Sequence, residues 1–342
     1  MKEFTEAEKQ LLIAVGWLRS RYGLMAGMDA ASRSCRKNLE EFGELWIGKY
    51  LVDWSDAYRS LIGEGFLSET DGEYSLTEKG NAARKIIEIA SPLWLYEYNN
   101  FFDSAEKSNA HALFCERVYG KNLCQHGLAD VFQLSKLLEV LSLTESDRVL
   151  DLGCGNGFIT EFLSDRTRAF FEGIDISDKA IEQARARTGA TNGRLTFSVG
   201  NMNQLSFAPQ TFSAVVSIDT LYYVNKLEET LRQLIPILKP GGQMGLSYTQ
   251  WITNAEDKAS LLPENTSLAA LLKKHDLKFA TFDLTEHEAE HWRKKVDALK
   301  RLRPEFEKEG NLRLYDYRYS EAIRYANWDS SKRSRYLYHV RL

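Results

Sequence analysis

RVLDLGCGNGFITEFL, residues 148–163, passes from strand to turn to helix in one short stretch. Val149, Leu150 and Leu152 form the apolar run of a buried strand, and Gly153, Cys154, Gly155, Asn156 and Gly157 form a tight turn. A helix opens at Phe158. Glycines in such a turn reach positive φ and let the backbone approach a ligand that a side chain would hold off. Asp151 ends the strand, where open α/β sheets bind their ligands, and a carboxylate there suits an ammonium group. Gly155 and Gly157 also suit a plain strand-to-helix turn, and Cys154 reads as a small packing residue rather than a nucleophile.

A glycine-rich loop alone fits a dinucleotide site as well. The next segments narrow the reading. FFEGIDIS (170–177) is a second strand ending in Asp175, placed to accept from two ribose hydroxyls, with Ile176 beside it. A third strand ends at GNM, putting Asn201 and Met202 where the edge and face of an adenine would lie. FSAVVSIDTLYYV (212–224) and LKPGGQMGLSY (238–248) supply a fourth strand, a helix, a Pro-Gly-Gly turn and a fifth strand. Strands alternating with helices predict a parallel sheet with crossover helices.

In residue type and order, DLGCGNG, GIDIS, GNM and LKPGG resemble the class I S-adenosylmethionine-dependent methyltransferases over roughly residues 115–250. The resemblance implies an α/β, Rossmann-like seven-stranded sheet whose last strand is antiparallel, with LKFATFDL (277–284) and RYLYHVRL (335–342) as the sixth and seventh strands. It implies S-adenosylmethionine as cofactor, held by Asp151, Gly153, Cys154, Gly155, Asp175, Ile176, Asn201 and Met202. Asn201 stands where many members carry Asp, and its carbonyl can still accept from an adenine amino group.

Upstream, CERVYGKNLCQHGL (115–128) resembles a cofactor-contacting segment of the phosphoethanolamine N-methyltransferases. That comparison puts Tyr119 in an aromatic position and Gln125 in place of a cofactor-contacting serine, with His126 adjacent to cofactor or substrate. Asp219 falls on an active-site aspartate and Tyr223 on a substrate-handling histidine, whereas Ile218 replaces an arginine. The implied reaction is methyl transfer to an N or O atom of a small molecule. Asp219, Tyr223 and His126 are the catalytic candidates, and Asp219, as base or as electrostatic partner, is also a candidate cofactor ligand.

Residues 1–90 read as a mostly helical, winged-helix-like domain. Helices are expected near Leu11–Leu18, Ala30–Leu45 and Asp53–Ile62, then a hairpin turning at Asp71-Gly72 and a helix capped by Thr77. The candidate recognition helix carries Asp53, Asp56 and Glu64 against Arg59, which disfavours phosphate backbones and favours a dimerisation or substrate-lid role. An alternative reading, a DNA-binding regulator that senses S-adenosylmethionine, needs that helix to be basic. Residues 91–140 form a helical bridge and active-site cover. Residues 141–342 form the catalytic domain, with a helical lid at about 286–333 that bends near Glu309-Gly310 and carries Trp292, Tyr315, Tyr319, Tyr325 and Trp328. The Lys/Arg run from Arg293 to Arg303 reads as a solvated face.

Over 342 residues the formal net charge is −4, which does not favour nucleic acid or an anionic membrane. No apolar stretch approaches a membrane span, and the acidic N-terminal residues do not resemble a signal peptide. Four scattered cysteines without ligand spacing fit free thiols in a cytoplasmic protein and bind no metal. No aromatic-proline motif of nucleic-acid or protein methyltransferases follows the fourth strand.

Overall fold

The computed structural model describes residues 2–18, 34–189, 193–253 and 255–342. The chain divides into two compact units, Met1–Phe101 and Phe102–Leu342.

In the first unit, α1 (Glu6–Leu18), α2 (Arg36–Phe42) and α3 (Ser55–Gly63) precede a hairpin of β1 (Leu67–Thr70) and β2 (Glu73–Leu76), and α4 (Glu78–Ala90) follows. The first part of the helix expected from Ala30 lies outside the described residues. Asp71 and Gly72 turn the hairpin at φ 52° and 78°, the left-handed pair that such a turn requires. A bridge between Cys35 and Glu73 adds a third extended segment to it. Thr77 caps α4 by accepting from Gly80 N–H at 3.0 Å. Leu11, Leu12, Val15 and Leu18 of α1 bury one stripe against Leu39, Leu61 and Ile87, and each such side chain contributes roughly 1.5–3 kcal/mol.

Helix α5 (Leu93–Ala105) contains the division, so the stretch read as a bridge is shared between the units. The second unit continues with α6 (Asn109–Tyr119), α7 (Val131–Leu141), β3 (Arg148–Leu152), α8 (Phe158–Thr167), β4 (Phe170–Asp175), α9 (Asp178–Thr188), β5 (Leu195–Val199) and β6 (Phe212–Ile218). After these come α10 (Leu227–Ile237), β7 (Leu238–Trp251), α11 (Ser267–Lys274), β8 (Lys278–Asp283), α12 (Thr285–Lys308), α13 (Leu312–Ala326) and β9 (Arg333–Arg341). Seven strands pair in the order β5-β4-β3-β6-β7-β9-β8. The first five run parallel, and β9 inserts antiparallel between β7 and β8. This is the Rossmann-like methyltransferase sheet, with the antiparallel strand where the sequence places it.

Alternation along the strands buries both faces. Leu150, Leu152 and Val215 pack with Leu231 and Leu234 of α10 and with Leu268 and Leu272 of α11. Val149, Phe171 and Val216 pack with Leu134 and Leu137 of α7 and Phe162 of α8. Two helical layers therefore enclose the sheet and leave its strand ends as the place for chemistry. The Pro-Gly-Gly segment lies inside β7, where the register with β6 slips between Phe212–Leu238 and Ala214–Gln243 and Gly241 takes φ 74°.

Candidate active site

The loop after β3 is built by backbone conformation. Gly153, Gly155 and Gly157 have φ of 73°, 56° and 78°. The N–H groups of Gly153 and Cys154 both donate to Ile174 O, at 2.8 and 3.0 Å, which ties the loop to the tip of β4. A Cβ on Gly153 would stand 2.5 Å from Thr220 Cγ2, and one on Gly155 would stand 2.9 Å from the Phe102 ring. Phe102 lies over the loop, and the sequence held no signal for that beyond the local wealth of aromatics. Cys154 packs its sulfur against Gly173, and burial pushes its thiol well above the ordinary value. That suits a packing residue.

Two carboxylates flank this loop. Asp151 is buried at the end of β3 and accepts from Thr160 Oγ1 at 2.6 Å. Burial pushes its carboxyl up to about 7, the Thr160 hydroxyl opposes the shift, and the Asp175 charge adds to it. No arginine or lysine pairs with it among the described ion pairs, so the Thr160 hydroxyl is its side-chain partner there. Asp175 is half-buried at the tip of β4 and accepts from Gly155 N–H at 2.9 Å and Ser177 N–H at 2.8 Å. Burial raises its pKa, and backbone N–H groups, that of Ile176 included, oppose the rise. A carboxylate has about four lone-pair positions, so acceptor capacity remains for a pair of hydroxyls. Ile176 follows, half-buried.

The third strand tip is arranged differently from the sequence expectation. The Asn201 Oδ1 that was to meet an adenine amino group accepts from the backbone N–H and the side-chain amide of Asn203, both at 2.9 Å. Asn203 Oδ1 in turn accepts from Asn225 N–H at 2.7 Å. Met202 packs against the core beside Leu205 and Phe207.

Asp219 follows β6 at φ 59°, a left-handed conformation that a side chain rarely takes. Its Oδ1 accepts from Arg335 of β9 at 2.5 Å, and its Oδ2 accepts from Leu128 N–H at 2.8 Å. Arg335 is fully buried and also donates to Gln133 Oε1 and Thr249 Oγ1. The half-buried carboxylate thus ties Arg335 of β9 and the backbone at Leu128 to the tip of β6. Tyr222 donates to Asp219 Oδ1 at 3.4 Å and accepts from Thr249 N–H at 2.8 Å. Its ring meets Trp251 at 5.0 Å, Tyr248 at 5.6 Å and Tyr223 at 6.5 Å. These four rings form a wall at the carboxyl ends of β6 and β7.

The loop 123–130 lies against Asp219, since a Cβ on Gly127 would stand 2.8 Å from its Oδ2. His126 Nε2 is 2.6 Å from the Tyr317 hydroxyl of α13. Burial, then the charges of Arg318 and Lys295, hold this imidazole well below its ordinary value, so it is neutral near pH 7. Gln125 and Tyr119 are both buried. The Gln125 carboxamide accepts from Leu123 N–H and donates to Lys121 O within its own loop. The Tyr119 phenol is fully buried, donating to Gly127 O at 2.9 Å and accepting from Arg318 at 2.8 Å.

The segment expected to form a lid is two helices, α12 and α13, turning at Gly310 with φ 66°. One expectation is corrected here. The run from Arg293 to Arg303 is not wholly a solvated face, because Lys295 is 1% exposed, donates to Gly127 O at 3.1 Å and lies 4.1 Å over the Trp292 ring. Sequence reasoning also missed Tyr317, Arg318 and Arg335. Trp292, Tyr325 and Trp328 form a stacked column within this segment. Among the described residues no cluster of His, Cys, Asp or Glu can hold a metal, and no helix is long and apolar enough to cross a membrane.

Residues 149–242 match the family model described as "Methyltransferase domain". The chain is 28% identical over 150 residues to 27-O-demethylrifamycin SV methyltransferase of Amycolatopsis mediterranei, covering 40% of this chain and 55% of that protein. It is 26% identical over 223 residues to sterol 24-C-methyltransferase of Candida albicans, covering 65% and 57%. The chain thus spans little more than half the length of these relatives. Among solved structures, Haemonchus contortus phosphoethanolamine N-methyltransferase 2, in complex with phosphomonomethylethanolamine and S-adenosylhomocysteine, superposes with TM-score 0.58 at 16% identity, over 72% of this chain and 60% of that one. Loop, strand order, carboxylate pair and family match agree: the second unit carries a class I S-adenosylmethionine-dependent methyltransferase domain.

Proposed function

We propose that this chain transfers a methyl group from S-adenosylmethionine to a nitrogen or oxygen atom of a small organic molecule. The observation that carries the reading is Asp151, a buried carboxylate without a cationic partner among the described residues, set beside three left-handed glycines and Asp175. Asp151 would take the ammonium of the methionine moiety, the glycine-rich loop at Gly153, Cys154 and Gly155 would let the cofactor lie close to its backbone, and Asp175 would take the ribose hydroxyls. Ile176, Asn201 and Met202 would border the adenine, with Asn201 reaching it once its turn to Asn203 opens.

The cofactor supplies a methyl group on positively charged sulfur, already a good leaving group. What remains for the protein is to hold the nucleophile in line and to exclude water, with reacting atoms ~3–3.5 Å apart. The ring wall of Tyr222, Tyr223, Tyr248 and Trp251 supports an organic acceptor seated beside the β6 tip. A protonated acceptor needs a base. His126, neutral and bonded to Tyr317, suits that role better than Asp219, whose oxygens are held by Arg335 and Leu128. Asp219 then fixes the site's floor. The first unit's hairpin and the acidic residues flanking α3, Asp53 and Glu64, support a winged-helix-like module serving dimerisation or substrate cover rather than DNA.

Labelled S-adenosylmethionine offered with panels of amines, phenols and carboxylates tests the proposal. Label transfer to one class, lost in His126→Asn while S-adenosylhomocysteine still binds, is the expected result. Cofactor binding with no transfer to any class would contradict it.

A further inference from the structure

Three consecutive backbone carbonyls of the loop beside Asp219 are each gripped by a buried basic side chain from α12 or α13. Arg318 donates to Gln125 O at 3.2 Å and to His126 O at 2.8 Å, and Lys295 donates to Gly127 O at 3.1 Å. The Tyr119 hydroxyl adds a second donor to Gly127 O and is itself held by Arg318. Both side chains are 1% exposed, and burial pulls the Lys295 amine down to about 7 whereas Arg318 stays charged. Lys295 has no carboxylate within ion-pair distance among the described residues, and Arg318 pairs with Glu321 Oε2 at 3.5 Å. Burying two basic groups against carbonyl oxygens is costly, and the hydrogen bonds they donate offset part of that cost. On the opposite side the same loop is fixed by Leu128 N–H on Asp219.

We infer that Lys295 and Arg318 are positioning residues, which hold the Gln125–His126–Gly127 backbone and thereby set the His126 imidazole against Tyr317. The inference rests on the proposed proton-accepting role of His126. It makes the helical pair α12–α13 a part of the site, because the two basic groups and the Tyr317 partner all come from it. Arg318 spans two carbonyls with one planar fork, a task that a lysine cannot repeat.

The groups facing this loop are Tyr119 and His111 of α6, Lys295 and His291 of α12, Tyr317, Arg318 and Glu321 of α13, and Asp219 after β6. The test reads His126 itself, in the full chain labelled with ¹⁵N-histidine, with its ring signals assigned by their loss in His126→Asn. In the wild type a single neutral tautomer that does not titrate between about pH 6 and 8 is expected. In Arg318→Gln and in Lys295→Met the ring should exchange between tautomers, or titrate about one pH unit higher, with S-adenosylhomocysteine affinity changed less than about threefold. Unchanged His126 signals in both variants would overturn the inference. Should either variant fail to fold, Arg318→Lys keeps the charge and loses the fork. It should show the same tautomer exchange, and an unchanged ring would again overturn the assignment. No acceptor or turnover enters this readout. If His126→Asn retained full methyl transfer, the base role would fall while the positioning result stood.

Discussion

Asp151 shows how a buried carboxyl, here proposed to meet the cofactor's ammonium, can weaken the unliganded fold. A carboxyl held up at about 7 by burial is protonated more readily in the folded protein than in the unfolded chain, where it titrates near 3.9. Such a group favours the fold most below its unfolded value, and that contribution is lost as pH rises through about 7. Asp151→Asn, which keeps an acceptor for Thr160, should therefore stabilise the unliganded protein at pH 8 by on the order of 1–4 kcal/mol in urea denaturation. The cationic cofactor needs the ionised form, so its affinity should rise with pH up to about 7 and then level. In the Asn variant it should be weaker and flat with pH. The placement of Asp151 and Asp175 at strand tips was legible because each ends an apolar run, a purely local signal. The partner of Asp219 was not. Arg335 lies 116 residues away, and only the antiparallel insertion of β9 brings the two together.

At the scale of elements, the β3–α8 connection depends on Gly157, which opens the helix from a left-handed conformation. A Cβ there would stand 2.7 Å from the Phe197 ring and 3.0 Å from Ala184 Cβ, with α9 and β5 behind them. Gly157→Ala should cost about 2–4 kcal/mol in urea denaturation, from left-handed strain plus overpacking. A loss below about 0.5 kcal/mol would mean that the loop relaxes freely. Apolar runs bounded by turn residues made the strands readable, and the 277–284 and 335–342 segments fell in the sixth and seventh positions. The buried face of α12 was harder. Lys295 sits among exposed Arg293, Lys294 and Lys300, so composition signalled a wet surface. Its burial comes from the loop carbonyl and the Trp292 ring it meets, which sequence spacing does not encode.

Across the whole molecule, the methyltransferase sheet accounts for one of two compact units. The first unit offers α3 with its Asp56–Arg59 pair and an acidic flank, a poor match for a phosphate backbone. The full chain should leave duplex DNA unshifted in a gel at ~50 mM salt and ~10 µM protein. A clear shift would favour the regulator reading of this unit. The central claim is that the β3 and β4 tips converge on one adenosyl ligand. Titration calorimetry with S-adenosylhomocysteine tests it most directly, in wild type and in Asp175→Ala. One molecule should bind per chain in the range of about 1–100 µM, and the variant should bind at least ~10-fold more weakly. No heat with the wild type, or equal affinity in the variant, would contradict it.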